Sequence, residues 1–305
     1  MSGEVNEQKT RCGFVAILGA PNAGKSTLVN RAVGQKVSIV SPKVQTTRSR
    51  VLGIVTEGAT QIVLIDTPGI FAPRRRLDRA MVAAAWGGAA DADAIVLIVD
   101  AAQRSVDEET LGIIAGLKKQ KRQAILVLNK IDIVKREKLL TMASNLNAEG
   151  VFTDIFMISA ESGDGLDDLL QALAGRMPEG PHHYPDDQVT DAPMRSLAAE
   201  ITREQLFRQL QQELPYALTV ETDSWEEFND GSAKIQQTIF VARDSQKAIV
   251  VGKGGSRIKE VREKAQRDLE EVMERKVHLF LFVKVRENWA DDPERFRALG
   301  LDWEA

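Results

Sequence analysis

The stretch that decides the fold of the first half is residues 14–26, FVAILGAPNAGKS. Its five apolar residues predict a buried strand, and the tract that follows fits the pattern G-x-x-x-x-G-K-[ST]. A loop of this pattern between a strand and a helix binds phosphate groups, because its backbone N–H groups converge on the anion at the positive end of the helix dipole. Lys25 would reach the β- and γ-phosphates, and Ser26 would ligate Mg²⁺. An ordinary glycine turn is the alternative. The predicted nucleotide-contacting residues of this tract are Gly19, Ala20, Pro21, Asn22, Ala23, Gly24, Lys25, Ser26 and Thr27.

Apolar runs alternate with amphipathic stretches through the rest of the first half. The runs lie near residues 14–18, 62–65, 94–99, 124–128 and 155–158, and the helical periods near 26–33, 77–85, 108–118, 136–146 and 166–174. This alternation predicts an α/β domain with a mostly parallel sheet and helices on both faces. A short connection after residues 50–56 predicts one antiparallel edge strand.

The pattern changes at residues 177–193, where four prolines among polar residues predict a linker. Beyond it the predicted order is a helix over 196–214, two strands over 217–221 and 235–243, a short helix, a longer helix over 256–273 and a final strand over 277–285. That order predicts a second, smaller α+β domain. We therefore expect a flexible tail at 1–10, a first domain at 11–177, a linker at 178–195 and a second domain at 196–305.

The composition sets limits on the class of protein. The chain has 305 residues, 43% hydrophobic and 28% charged, with a formal charge of −4, so any basic surface must be local. A single cysteine, Cys12, excludes an internal disulfide framework. The N-terminal residues lack an apolar core, and apolar runs such as Ala94–Val99 are too short to cross a bilayer. These features predict a cytoplasmic protein.

A second tract, Asp66-Thr67-Pro68-Gly69, follows the predicted strand at 62–65. At this position the Asp66 carboxylate would hold Mg²⁺ through water, and the Gly69 N–H would sense a γ-phosphate. Taken alone, D-x-x-G is often only a strand-to-turn signature. Its value lies in its place after the phosphate loop.

Two later tracts point to the base of the nucleotide. An Asp132 carboxylate would accept two hydrogen bonds from the N1–H and amino group of guanine, whereas adenine presents no matching pair of donors. Asn129 would tie its loop to the base edge, and the Lys130 stem would cover the base plane. Ser159 and Ala160, after the strand at 155–158, would offer a backbone N–H to guanine O6. A solvated turn is the alternative for the Asn129–Asp132 tract alone.

The four tracts occur in one order, each at the carboxyl end of a predicted strand, where ligands bind in open α/β sheets. In this arrangement they resemble the translation-factor-like GTPases. The tract Lys43-Val44-Gln45-Thr46-Thr47-Arg48 together with Asp66-Thr67-Pro68-Gly69-Ile70 is similar to the Era-like branch. The resemblance implies that Thr47 contacts Mg²⁺ and senses the γ-phosphate. Thr46 is the rival, and a purely structural threonine is the alternative.

The residues predicted to act in catalysis are Lys25, Thr47, Gly69 and Asn22. Ile70 stands where a Ras-type GTPase has a water-orienting glutamine, and it cannot polarise water, so hydrolysis should be slow without help. In the Era-like branch an asparagine at the position of Asn22 is associated with a bound K⁺, which would supply positive charge to the transition state. The alternative is that Asn22 only suits the geometry of the turn.

A glycine-rich loop, Gly252-Lys253-Gly254-Gly255, lies between two helical stretches of the second half. Residues 243–267 hold eight Lys or Arg against three acidic residues, a local basic patch of the kind that meets phosphates. In its helix–strand–strand–helix–helix–strand context the loop resembles that of a type II KH domain, which binds RNA. A plain glycine turn with a solvated basic face is the alternative. The predicted RNA-binding residues are Gly252, Lys253, Gly254, Gly255, Arg257 and Lys259.

A GTPase domain followed by a KH domain is typical of the Era family, and the resemblance runs from about Gly13 to Trp303. It implies a monomer that binds GTP, GDP and Mg²⁺, binds the 3′ end of small-subunit ribosomal RNA, assists assembly of that subunit and associates loosely with the inner membrane. Two other functions stay open: a GTPase switch whose second domain binds protein, and an RNA-binding protein that uses GTP as a structural ligand. An ATP-using relative is disfavoured by Asp132.

Overall fold

The computed structural model describes residues 9–73, 75–287, 289 and 292–305, so most of the predicted N-terminal tail lies outside the described residues. The chain forms two compact units. The first unit comprises residues up to Val37, Arg50–Ala72 and Val82–Asp191. The second unit comprises Ser38–Ser49, Pro73–Met81 and Ala192–Ala305. None of the helices among the described residues is long and apolar enough to cross a membrane.

The first unit is built on a six-stranded sheet in the order β2-β3-β1-β4-β5-β6. Its strands are β1 Arg11–Leu18, β2 Val51–Glu57, β3 Thr60–Asp66, β4 Ala94–Asp100, β5 Ala124–Asn129 and β6 Phe152–Ile158. Its helices are α1 Lys25–Val33, α2 Arg76–Asp91, α3 Glu108–Lys119, α4 Arg136–Asn147 and α5 Leu166–Ala174, with α2 beginning in a segment assigned to the second unit. All strand pairs are parallel except β2 with β3. The predicted α/β fold with one antiparallel edge strand is confirmed.

The central strands are apolar throughout because helices cover both faces of the sheet. Alternate residues of β1 divide between two cores: Ala16 and Leu18 lie in one, and Val15 and Ile17 in the other. The same division fixes the register, since a shift of one residue would exchange the two faces. The carboxyl ends of the parallel strands therefore meet at one edge, in defined positions.

Residues 178–191, predicted as part of a linker, are hydrogen-bonded to the first unit. The amide of Gln61 accepts from His183 N (2.9 Å) and Tyr184 N (3.0 Å) and donates to Tyr184 O (2.8 Å). Further along, Ile54 N donates to Val189 O at 2.9 Å. The segment therefore lies along the first unit and turns at 185–188, where Gln188 N donates to Pro185 O at 3.0 Å.

The second unit contains a three-stranded sheet in the order β7-β8-β9, with β7 antiparallel and β9 parallel to β8. The strands are β7 Leu218–Glu227, β8 Ala233–Val241 and β9 Val277–Val285. The helices are α6 Met194–Gln209, α7 Asp244–Val251, α8 Ser256–Met273 and α9 Pro293–Ala298, with single 3₁₀ turns at Leu214–Ala217 and Lys253–Gly255. The helices α6 and α8 pack on one face of the sheet. The predicted α+β order is confirmed, and α9 is the helix that the sequence did not predict.

One helix boundary in this unit differs from its prediction. The helix expected to continue to Leu214 ends at Gln209, and Leu210 is extended with φ −88° and ψ 152°. Gln212 has φ 55°, a left-handed conformation that an α-helix does not continue through, and Pro215 lies within the 3₁₀ turn Leu214–Ala217, so one α-helix does not reach residue 214. The apolar periodicity continues past the helix because Leu210 and Leu214 are buried in the same core.

Candidate functional site

The phosphate loop connects the end of β1 to the start of α1. Gly24 is the N-terminal cap of α1 with φ 103°, and a Cβ at this position would lie 2.1 Å from Asn129 Nδ2. Only glycine fits here, for both conformational and steric reasons. Asn22 is exposed and has φ 63°, a left-handed conformation that asparagine tolerates better than most residues. The turn geometry alone is therefore sufficient to account for an asparagine at position 22.

The Lys25 side chain is curled into the loop. Its Nζ donates to Gly19 O at 3.0 Å and to Ala20 O at 2.9 Å, and only 6% of the residue is exposed. Burial lowers the pKa of Lys25 to about 8, an effect that nearby Asp66 partly opposes. A phosphate group beside this ammonium would favour its charged form.

The turn after β3 lies directly against the phosphate loop. Ser26 Oγ donates to Asp66 Oδ2 at 2.7 Å, so a hydroxyl and a carboxylate lie next to each other at the end of β3. Hydroxyl and carboxylate oxygens are the hard ligands that Mg²⁺ prefers, and this donor set fits the metal that the sequence predicts. A Cβ on Gly69 would lie 3.1 Å from the backbone N and Cα of Pro21, so this turn approaches closely only because residue 69 is glycine.

Two side chains of this turn make contacts inside the protein. Thr67 Oγ1 donates to Ile17 O at 2.7 Å and fastens the turn to β1. Ile70 is buried in the core with Leu18 and Ala85, and its N–H donates to Gly19 O at 3.2 Å. The Ile70 side chain therefore points into the protein, where it cannot orient an attacking water.

Asn129 joins three loops at the end of β5. Its Nδ2 donates to Ala23 O at 2.8 Å, and its Oδ1 accepts from Ala160 N at 2.9 Å. The amide thus ties the phosphate loop to the loop after β6. In this arrangement Ala160 N–H is directed at Asn129, and a contact of this loop with guanine stays a prediction.

The residues predicted to read the base follow Asn129 in a tight turn. Lys130 has φ 70°, and its Nζ pairs with Asp100 Oδ2 at 2.6 Å. This left-handed residue begins a 3₁₀ turn that leaves Asp132 exposed. An exposed carboxylate at this edge is accessible to two donors of a base.

Two residues contribute to the site without a recognisable sequence signal. Asp100, at the end of β4, orients Lys130 as described above. Arg31, in the last turn of α1, donates through Nε to Ala160 O at 3.5 Å and through Nη2 to Glu161 O. It holds the loop after β6 in place, beside a cavity of about 330 Å³ between this loop and the end of α1. No pattern connects Arg31 with residues about 130 positions away.

The segment that contains Thr47 belongs to the second unit. Arg48, 3% exposed, donates through Nη1 to Leu218 O at 2.8 Å and lies 5.7 Å from the ring centroid of Phe207. Arg203 donates to Thr46 O, and Ile39 is buried in the core of this unit. Thr47 is 8% exposed here. Its predicted contact with Mg²⁺ stays a prediction.

The glycine-rich loop of the second unit has three left-handed residues. Gly252, Gly254 and Gly255 have φ values of 75°, 59° and 79°, and Lys253 and Gly254 are exposed. A Cβ on Gly252 would lie 2.8 Å from Arg257 Cβ, whereas none of the described atoms lies within 4 Å of one on Gly254. The loop therefore presents bare backbone and one lysine ahead of α8.

The other predicted RNA-binding residues also have contacts within the protein. Arg257 Nη1 donates to Ile249 O at 2.7 Å and satisfies a carbonyl near the end of α7. Lys259 is 4.0 Å from Glu263, and Lys264 is 2.8 Å from Glu260. These exposed ion pairs on α8 are weak, so each lysine can contact an RNA phosphate instead of its carboxylate with little loss of free energy.

Comparisons with known proteins agree with this geometry. A family described as "50S ribosome-binding GTPase" matches residues 14–130, and a family described as "KH domain" matches residues 213–290. The GTPase Era of Afipia carboxidovorans is 59% identical over 300 residues, covering 98% of this chain and 97% of that protein. The chain belongs to the Era GTPase family.

Other Era proteins support the assignment over the whole length. The GTPase Era of Rhizobium meliloti is 59% identical over 294 residues, covering 96% of this chain and 94% of that protein. A crystal structure of Era in complex with MgGDPNP and nucleotides 1506–1542 of 16S ribosomal RNA has 37% identity and a TM-score of 0.89, covering 95% of this chain and 99% of that one. A single-residue variant of Era from Aquifex aeolicus, bound to GDP·AlF4⁻, has the same identity, TM-score and coverage.

Proposed function

We propose that the protein is a GTP-hydrolysing switch that binds the 3′ region of small-subunit ribosomal RNA through its second domain and assists assembly of that subunit. The observation that carries the nucleotide part is the meeting of four loops at the carboxyl edge of the sheet, with Asn129 bonded to two of them. Family membership over almost the whole chain supports the RNA part, since a related Era structure holds nucleotides 1506–1542 of 16S ribosomal RNA.

Each residue of the nucleotide site has a defined task in this proposal. The N–H groups of the phosphate loop bind the phosphates, and Lys25 places its charge between the β- and γ-groups. Ser26 would hold Mg²⁺ directly and Asp66 through water, with Thr47 as a third oxygen donor. Bound there, Mg²⁺ neutralises charge on the phosphate oxygens. Gly69 would report the γ-phosphate through its N–H, and Asp132 would select guanine.

Hydrolysis should be slow in the isolated protein, because the Ile70 side chain is in the core and cannot position water. Phosphate release should therefore rise when the protein binds its RNA. Measuring release with and without RNA tests this and separates the switch from an RNA-binding protein that holds GTP only as a structural ligand. The latter predicts no release under either condition.

A bound K⁺ at Asn22 is the proposed source of additional charge. We expect faster hydrolysis in KCl than in NaCl at equal ionic strength, with the difference lost when the amide is removed. Because φ of Asn22 is 63°, Asn22→Gly is a better variant than Asn22→Ala, since it removes the amide oxygen without straining the left-handed backbone. Equal rates in the two salts, or a potassium effect that survives Asn22→Gly, would leave turn geometry as the role of this residue.

The RNA site is proposed at the loop Gly252–Gly255 with Arg257 and Lys259. Changing Lys253 and Gly254 to Asp should abolish RNA binding and leave GTP binding intact, since the carboxylates would repel phosphates and block close approach. Filter binding across a salt series checks both affinity and the number of phosphate contacts. Unchanged affinity and salt slope would favour a second domain that binds protein.

The remaining parts of the proposal concern organisation and location. We infer a GTPase domain at 11–177, a linker at 178–195 and an RNA-binding domain at 196–305, in a monomer that associates loosely with the inner membrane. Analytical ultracentrifugation tests the monomer, and co-sedimentation with vesicles of anionic lipid tests the membrane association. If the protein stays in the supernatant at low salt, the proposed membrane association is wrong.

A further inference from the structure

The outward face of the sheet in the second unit carries exposed aromatic residues. Helices cover the inward face, where Ile235, Ile239 and Leu279 are at most 2% exposed. On the outward face Phe280 is 46% exposed and Phe282 is 49% exposed. Large aromatic side chains normally bury most of their area, so two exposed on one strand form an apolar surface of the kind that serves as an interaction site.

The spacing of the two rings suits a row of flat ligands. Phe280 and Phe282 are two residues apart on β9 and therefore point to the same side, about 6.6 Å apart along the strand. Their partners on β8 are Gln236 and Thr238, which are smaller than the rings. His278 continues the row toward the start of β9 and lies against Phe228, with ring centroids 6.1 Å apart. The outward face of β9 thus presents a line of aromatic rings.

The charge on this face is divided between its two edges. Residues 275–286, which include β9, hold four Lys or Arg and no acidic residue. Residues 218–227, which form β7, hold four acidic residues and no Lys or Arg. Arg275 and Arg286 are paired with Glu227 and Asp292, whereas Lys284 is exposed at the end of the aromatic row. An anionic ligand is therefore favoured at the β9 edge and repelled from the β7 edge.

The glycine-rich loop follows a helix that packs against this edge strand. The helix α7 packs against β9 and runs directly into Gly252. A strand of RNA that leaves the loop beside α7 meets the edge of β9 and, beyond it, the aromatic row. Aromatic side chains on an exposed sheet face, flanked by basic residues, are the usual platform on which unpaired bases stack.

We propose that Phe280 and Phe282, with Lys284, form a second RNA contact that stacks unpaired bases next to the segment held by the glycine-rich loop. The proposal rests on RNA binding by the second domain, and it adds a surface on the opposite face of the sheet from the helices. It commits to single-stranded RNA as the occupant because the ring spacing and the charge division both match a chain of bases on a phosphate backbone.

The test is the length dependence of RNA binding by the full chain. RNAs of about twelve nucleotides, tiled across nucleotides 1506–1542 of 16S ribosomal RNA, are compared with a four-nucleotide core of the best binder, because a KH loop clamps about four nucleotides. Replacing both phenylalanines with leucine removes the ring faces and keeps the apolar volume. Replacing both with tyrosine keeps the ring faces and is the matched control.

The Leu variant should bind the long RNA about tenfold or more weakly, and the short RNA as tightly as the parent does. The Tyr variant should match the parent on both RNAs. Equal affinity of the parent and the Leu variant for the long RNA would overturn the proposal. So would a parent dimer that the Leu variant dissociates without any change in RNA binding, because the face would then join two copies of the chain.

One further variant separates this proposal from the function on which it rests. Lys253→Asp should weaken binding of both RNAs, since it acts at the loop. If the parent binds neither RNA, RNA binding by the second domain fails and the aromatic contact fails with it. If Lys253→Asp weakens both RNAs and the Leu variant weakens neither, only the aromatic contact fails.

Discussion

The ammonium group of Lys25 donates to the carbonyl oxygens of its own loop, and we expect phosphate oxygens to take their place when a nucleotide binds. Because its pKa is lowered to about 8, the free protein begins to lose this charge at mildly alkaline pH. Phosphates favour the ammonium and raise its pKa, so nucleotide binding should take up a proton above that pH. We predict that GDP affinity falls by up to about tenfold per pH unit above pH 8.

Calorimetry at about pH 8.5 in two buffers of different ionisation enthalpy measures the number of protons taken up when GDP binds. This pH lies well above the titration of phosphate groups near pH 6. The affinity for GDP should be full below the pKa of Lys25 in the free protein, and it should decline as the pH rises through that pKa. Lys25→Ala should bind weakly at every pH and take up no proton. An affinity that is flat in the parent would mean that Lys25 stays charged in the free protein.

Asp132 carries the prediction on base choice. Asp132→Asn should lower GTP affinity by about a hundredfold or more and raise affinity for xanthosine triphosphate, because an amide can donate to the 2-oxo group of xanthine. Competition binding of the two nucleotides to the parent and variant measures the exchange. A variant that still prefers GTP to the same degree would show that Asp132 does not read the base.

The positions of the candidate loops could be predicted from the sequence, because each motif has fixed spacing and follows a recognisable apolar strand, and the structure has these loops after β1, β3, β5 and β6. Their mutual contacts could not. The two hydrogen bonds of Asn129, to Ala23 and Ala160, and the contact of Arg31 with the later loop join residues far apart in the chain. Such contacts depend on strand order, which periodicity does not encode.

At the scale of elements, the sequence was most informative where a strand is buried on both faces. The run at 94–99 extends by only one residue, to Asp100, and the helix at 166–174 has the predicted bounds. Predictions were weaker where a segment is only half covered. β7 continues six residues beyond its predicted end at Glu221, through a bulge between Thr222 and Ser224, because its polar residues carry no apolar signal.

The glycine-rich loop offers a test of backbone geometry at this scale. Gly252 has φ 75° and ψ 171°, a region that only glycine occupies readily, and a Cβ there would meet Arg257. Gly252→Ala should destabilise the second unit by about 1–3 kcal/mol. Gly254→Ala is the control: its left-handed backbone has open space around the added methyl group, so it should cost only about 1–2 kcal/mol.

Urea unfolding followed by tryptophan fluorescence measures both variants, since Trp225 packs against the core of the second unit. If Gly252→Ala is no more destabilising than Gly254→Ala, the close approach to Arg257 does not limit this loop. GTP binding serves as the internal reference, since both substitutions lie outside the nucleotide site.

At the scale of the whole molecule, the second unit takes up Ser38–Ser49 and Pro73–Met81 from the middle of the first unit's sequence. Arg48 is central to this arrangement: its guanidinium donates to the carbonyls of residues 215, 216 and 218 and lies within 6 Å of the rings of Phe207 and Trp289. Arg48→Ala would leave buried carbonyls without this donor. We predict a loss of about 3 kcal/mol from the stability of the second unit.

Arg48→Lys keeps the charge but loses the planar guanidinium fork that reaches carbonyls in different directions and lies near the rings of Phe207 and Trp289, so it should recover only part of the lost stability. Limited proteolysis gives the second readout, since residues 38–49 should be cut faster in Arg48→Ala than in the parent. A variant as stable and as protease-resistant as the parent would show that other contacts hold this segment.

The assignment of Ser38–Ser49 to the second unit also bears on any attempt to divide the protein into fragments. The residues that flank this segment, Val37 and Arg50, belong to the first unit, so a fragment that stops at Asp191 keeps the twelve residues of the segment and loses the core into which Ile39 is packed. In that fragment the segment becomes a closed loop with the conformational freedom of an unfolded chain. Its threonines would then have to be ordered anew at each round of nucleotide binding. Hydrolysis rates measured on such a fragment should therefore not be taken as those of the intact chain.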